Sequence, residues 1–162
     1  MGFGHLNTTI IFNLIIASCP ESTSNIVWID GSNVNLGCIG FCMKTKSNCL
    51  NRKAVCAAEN SKAQLVEIFT EVQQDFMKQK SDEVMKSFGK SIMYWWIGAR
   101  VKNGAMHWTH SNIKVSFWPP GRKDTMNGNY ECGYAGSMGG SFLWEDTTLT
   151  GTYLMNPICQ IN

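Results

Sequence analysis

The apolar positions along the chain change their period once, near Ser91. Before that point they follow helical spacing; after it they alternate in short runs. Residues 51–63 have helix-favouring composition, through Lys53-Ala54-Val55-Cys56-Ala57-Ala58-Glu59, and the pattern breaks at Asn60-Ser61. Leu65, Val66 and Ile68 form a run expected to be buried. Thr70-Glu71-Val72-Gln73 reads as a capping box, in which the Thr hydroxyl accepts from the Gln73 amide while the Gln73 side chain reaches back. Val72 and Phe76, four apart, are expected to share one helical face. Ser81-Asp82 is expected to interrupt this helix, with Val84, Met85 and Phe88 making a second apolar turn that Gly89 stops. Strands are expected at 92–98, 105–109, 115–118, 130–135, 141–145 and 153–160, separated by Gly, Asn and Pro. Two helices followed by many short strands predict the α+β class.

The N-terminus carries a different signal. Ile10-Ile11-Phe12-Asn13-Leu14-Ile15-Ile16-Ala17 is too short for the roughly 20 residues of a membrane span. It fits the apolar region of a secretory signal, with small residues Ala17, Ser18 and Cys19 at the cleavage point. The competing reading is a buried first strand. We expect residues 1–18 to be a signal peptide, 19–37 a polar leader whose Ile26-Val27-Trp28-Ile29 adds an edge strand, and 38–162 the folded domain.

Composition narrows the class. The 162 residues suit one domain, and 44% hydrophobic content with six Trp and eight Phe fills a sizeable core. A net charge of +2 with no dense Lys/Arg run argues against a nucleic-acid partner. Lys78, Lys80, Lys86 and Lys90 alternate with Asp82 and Glu83, as on a solvated helix face. Seven cysteines fit an oxidising compartment, and none of the spacings is C-x-x-C, which speaks against structural zinc. His107 and His110 do not form a metal pair on a strand, and no nucleophile elbow, phosphate loop or zinc-protease motif occurs, so no enzyme activity is expected.

Three motifs then appear in register: Tyr94-Trp95-Trp96-Ile97-Gly98, Phe142-Leu143-Trp144-Glu145-Asp146 and Asn156-Pro157-Ile158-Cys159. With Arg52-Lys53-Ala54-Val55-Cys56, Met106-His107-Trp108-Thr109 and Phe117-Trp118-Pro119-Pro120-Gly121, they resemble the C-type lectin-like domain over roughly residues 38–160. The resemblance implies two helices packed on short antiparallel sheets, with a long irregular loop that binds ligand. It also implies a disulfide between Cys56 and Cys159. Closing about a hundred residues in this way removes denatured-state entropy worth roughly 4 to 5 kcal/mol in the chain-entropy model. Cys132 stands where the family places its third cysteine, but the stretch where its partner should follow reads Thr147-Thr148-Leu149. Cys132 is therefore left with Cys38, Cys42 or Cys49 as partner, or as a thiol; a local Cys38–Cys42 or Cys38–Cys49 bond is the preferred pairing for the others.

In sugar-binding members of that family, oxygen ligands from the long loop and the following strand hold Ca²⁺, which needs six to eight oxygens. The loop tripeptide, normally "EPN" or "QPD", is replaced here by Arg122-Lys123-Asp124. Two cations beside a divalent ion repel it by more than one surviving carboxylate gains. No cofactor is therefore expected; were calcium bound, Asp124, Glu145 and Asp146 would be the metal ligands. The ligand-binding candidates are Trp118, Arg122, Asp124, Asn127, Asn129, Tyr130, Glu131, Glu145 and Asp146. Glu145 and Asp146 otherwise cap a turn or pair with Arg122 or Lys123. The resemblance implies a secreted recognition module whose partner is a glycan, in the usual context of defence, bound without the usual calcium coordination. The alternative is a calcium-independent protein–protein interaction module using the same loop surface.

Overall fold

The computed structural model describes residues 18–116, 132–147 and 153–162. Eight strands and two helices follow one another along them: β1 (Ile26–Asp30), β2 (Cys38–Cys42), α1 (Arg52–Glu59), β3 (Gln64–Leu65), α2 (Glu71–Ser87), β4 (Ile92–Lys102), β5 (Ala105–Trp108), β6 (Cys132–Met138), β7 (Ser141–Thr147) and β8 (Asn156–Ile161). The class is α+β, as expected. The strands order as β1-β2-β8-β4-β6-β7, with β3 on β8 and β5 on β4. Neighbours pair antiparallel except β4 and β8, which run parallel where Trp95 meets Asn156 and Trp96 meets Pro157.

β1 arises from the Ile26–Ile29 patch of the polar leader and forms the edge strand of the sheet. α1 opens at Arg52 and ends at Glu59, where the helix-favouring pattern breaks at Asn60. Thr70 caps α2: its hydroxyl accepts from Gln73 N at 3.2 Å. Gln73 reaches one residue further back than a capping box requires, its Oε1 accepting from Phe69 N at 2.8 Å. The helix then runs unbroken to Ser87, contrary to the expected interruption. Ser81 is fully buried there, its hydroxyl donating to Lys78 O and accepting from Ser137 Oγ, so neither group competes with the helix. Val72 is 64% exposed and does not share the buried face of Phe76, Met77, Val84 and Met85. At the far end Gly89 N bonds Lys86 O and Lys90 N bonds Met85 O, the paired closure of a Schellman motif.

The expected strand at 115–118 is absent from its described part: Val115 is buried and Lys114 makes a single bridge to His107. β6 and β7 are joined by Gly139-Gly140, both at positive φ (56° and 75°), the two-residue turn that matches strand twist. This turn fixes the register that sets Tyr134 opposite Glu145 and Ala135 opposite Trp144.

The core is aromatic. Trp95, Trp96, Trp108, Trp144, Phe41 and Phe142 are all under 2% exposed or close to it, and Trp108 meets Trp144 edge-on at 5.4 Å. Each indole that is buried needs a partner for its N–H. Trp95 donates to Ser137 Oγ on β6 at 3.1 Å and Trp96 to Ser47 O at 2.7 Å, which pins β4 to the segment before α1 and, through the Ser137–Ser81 bond, links it to α2. No helix among the described residues is long and apolar enough to cross a membrane.

Candidate functional site

Three disulfides hold the elements that carry the candidate site. Cys56–Cys159 ties α1 to β8 across 103 residues, as the sequence resemblance implies. The other pairings differ from those preferred. Cys38 joins Cys19, because the leader turns at Thr23 and doubles back along β1, Ser22 Oγ accepting from Trp28 N at 2.8 Å, toward the end of β1 where Asp30 pairs with Cys38. Cys49 joins Cys132, so neither is available for a bond to Cys38. Cys42 is left as a buried thiol. Its side chain points into the core beside Cys159, 3.6 Å from Sγ to Sγ. Burial, with the Glu59 charge adding to it, pushes this thiol up to about 12.

Of the candidate ligand-binding residues, Trp118, Arg122, Asp124, Asn127, Asn129, Tyr130 and Glu131 lie outside the described residues, as does Lys123. Glu145 and Asp146 are described, at successive positions near the end of β7. Their cross-strand neighbours on β6 are Tyr134 and Gly133, which add no carboxylate. The Tyr134 hydroxyl donates to Glu145 Oε2, a contact the sequence pattern did not single out. Tyr134 in turn packs edge-on against Tyr94 and Trp96, with centroids 6.0 and 6.3 Å away. Alternation along β6 and β7 was the available signal, since residues facing each other across a two-residue hairpin can be counted outward from the turn.

A calcium ion needs six to eight oxygens, mostly from carboxylates. The described residues offer Glu145, already engaged by Tyr134, and Asp146, and no group of three or more His, Cys, Asp or Glu among them is placed to hold a metal. Among the described residues the donor set does not fit calcium. The buried carboxylate of Glu67 serves the fold instead, accepting from His110 N at 2.6 Å and from Ser111 N, and so fixing the turn after β5.

The fold defines the class of protein. No protein-family profile and no curated protein matches the chain. Among solved structures it is similar to human lithostathine (23% identity, TM-score 0.62, covering 90% of this chain and 91% of that one). It is also similar to the C-type lectin CEL-I from Cucumaria echinata (18%, 0.58, 88% and 96%). A third is the C-type lectin domain of murine dendritic cell inhibitory receptor 2, solved in complex with an N-glycan (18%, 0.62, 90% and 99%). The chain is a C-type lectin-like domain by fold.

Proposed function

We propose that this domain is a secreted recognition module that binds carbohydrate without the usual calcium coordination and catalyses no reaction. The ligand surface comprises the loop between about Trp118 and Tyr130 together with Glu145 and Asp146. The observation that supports this reading is the fold, in which a disulfide-closed scaffold carries Glu145 and Asp146 on β7, which pairs with β6, the first strand after that loop. Structural neighbours include a C-type lectin domain solved with an N-glycan and SPL-1 solved with GlcNAc. The engagement of Glu145 by Tyr134, with Arg122 and Lys123 in the loop sequence, supports calcium independence. Three disulfides suit an extracellular site of action. Cleavage after Ser18 would leave Cys19 for its bond to Cys38.

A glycan array probed with and without EDTA tests the proposal. Binding that persists in EDTA is the expected result, and binding abolished by EDTA would defeat the calcium argument. A second reading, recognition of a protein, is favoured by an apolar strip in which Ile92 (49% exposed) pairs with Met138 (58%) and Tyr94 (51%) follows two residues on. An array without signal, together with capture of a protein partner lost on replacing Tyr94 or Trp118, would select that reading.

A further inference from the structure

Among the described residues Arg52 is a buried cation without a buried anion. Its side chain is 4% exposed, yet neither of the two ion pairs among the described residues includes it. The guanidinium donates to Ala99 O at 3.0 Å, approaches Cys49 Sγ at 3.6 Å, and lies 5.6 Å from the Trp96 ring centroid. Among the described residues these three neutral contacts leave most of its five N–H donors unused, and its charge is offset by the Trp96 ring alone, with no carboxylate. Burial, and then the positive charge of Arg100, lower its pKa to about 10, so it stays charged at neutral pH and is repelled by its neighbour. Glu67 is occupied by the turn at His110 and Ser111.

Arg52 lines an open pocket of about 260 Å³ with Lys53, Arg100 and Thr109, beside the Cys49–Cys132 bond. A second pocket, of about 220 Å³, is lined by Arg100, Lys102, His107 and Asn112, and shares Arg100 and Thr109 with the first. Arg100 and Lys102 alternate along β4, so they project from one face about 7 Å apart. His107 sits directly opposite Arg100 on β5. Thr109 and Asn112 line the same pocket, Asn112 Oδ1 accepting from Lys102 Nζ at 2.8 Å, so a hydroxyl and an amide stand beside the cations as partners for sugar hydroxyls.

We propose that the two pockets form one cationic groove that binds a sulfated glycan chain, with Arg52 and Arg100 gripping one sulfate and Lys102 and His107 the next. The guanidinium fork matches the oxyanion geometry of a sulfate, and bringing an anion to Arg52 relieves both its unpaired burial and its repulsion from Arg100. This inference rests on the reading of the domain as a glycan-binding module, and it adds a ligand class and a site that the loop residues do not supply.

The test is titration of the full chain with a heparin-derived hexasaccharide, its desulfated counterpart, and poly-glutamate of equal charge. Arg100→Ala/Lys102→Ala is the variant of choice, because both side chains are exposed and their removal leaves the core intact. Binding of the sulfated hexasaccharide should weaken about tenfold or more in the variant, and the slope of log affinity against log salt should fall by about two. The desulfated sugar and poly-glutamate should bind far more weakly. Unchanged affinity in the variant would overturn the site. Equal binding of poly-glutamate would overturn the glycan assignment. No binding of the sulfated hexasaccharide, with array signal retained, would sink this proposal alone; loss of both would remove the glycan reading itself.

Discussion

Replacing one half of the Cys56–Cys159 bridge should not be equivalent to replacing the other. The bare loop closed by this bond spans about a hundred residues, worth about 4.7 kcal/mol in the chain-entropy model. The Cys49–Cys132 bond overlaps it, however, so in the unfolded chain the shortest covalent path from Cys56 to Cys159 crosses that bond. That path is about 35 residues long, and the same model then assigns the bridge about 3.8 kcal/mol. Cys159→Ser removes this stabilisation outright and should lower the melting temperature by about 8 to 15 °C for a chain of this size. Cys56→Ser leaves the Cys159 thiol in contact with Cys42, whose sulfur already lies 3.6 Å away. A Cys42–Cys159 bond closes a path of about the same length and should restore most of the lost term. The assay is thermal unfolding of both variants with peptide mapping under non-reducing conditions, and secretion yield as a second readout. We expect Cys42 joined to Cys159 in Cys56→Ser, a melting loss under half that of Cys159→Ser, and secretion abolished only in Cys159→Ser. Equal losses with Cys42 still alkylatable in Cys56→Ser would refute the rescue. Normal secretion of Cys159→Ser would refute the importance of the tether.

Four further outcomes are expected. The Cys42 thiol ionises near 9 when unfolded and near 12 when folded, so its contribution is intact below pH 9 and is lost as the pH rises from 9 towards 12. Relative to Cys42→Ala, the native protein should lose about 1.4 kcal/mol per pH unit in that window, measured by denaturant titration. Gly98→Ala should destabilise by about 1 to 3 kcal/mol, because a Cβ there would stand 2.8 Å from Val66 O, the carbonyl that Gly98 N bonds; the denaturation midpoint reports it. Thr70→Ala should cost about 1 kcal/mol by the same measurement through loss of the α2 cap. Glu145→Gln should leave the fold unchanged and glycan binding insensitive to added calcium, followed by intrinsic Trp fluorescence; saturable, EDTA-reversible quenching at millimolar calcium would contradict this.

What the sequence determined by itself was mostly local or strongly periodic. The α2 cap follows from Thr70 and Gln73 alone, β4 from the continuous apolar run through Trp95 and Trp96, and β7 from alternation around Trp144. These features depend on neighbours within a turn or across a short hairpin, so composition and spacing suffice to find them. Tertiary structure decided the rest. Ser81 reads as a helix breaker until Ser137, 56 residues away, meets its hydroxyl in the core. The cysteines look interchangeable along the chain, and only the doubling back of residues 19–23 along β1 selects Cys19 for Cys38, leaving Cys49 for Cys132. Arg52 and Arg100 belong to ordinary stretches far apart in sequence, and the donation from Arg52 to Ala99 O, across 47 residues, brings them together. A linear charge count dilutes such a groove into a near-neutral average, whereas Coulombic effects act over ångströms of space and ignore distance along the chain.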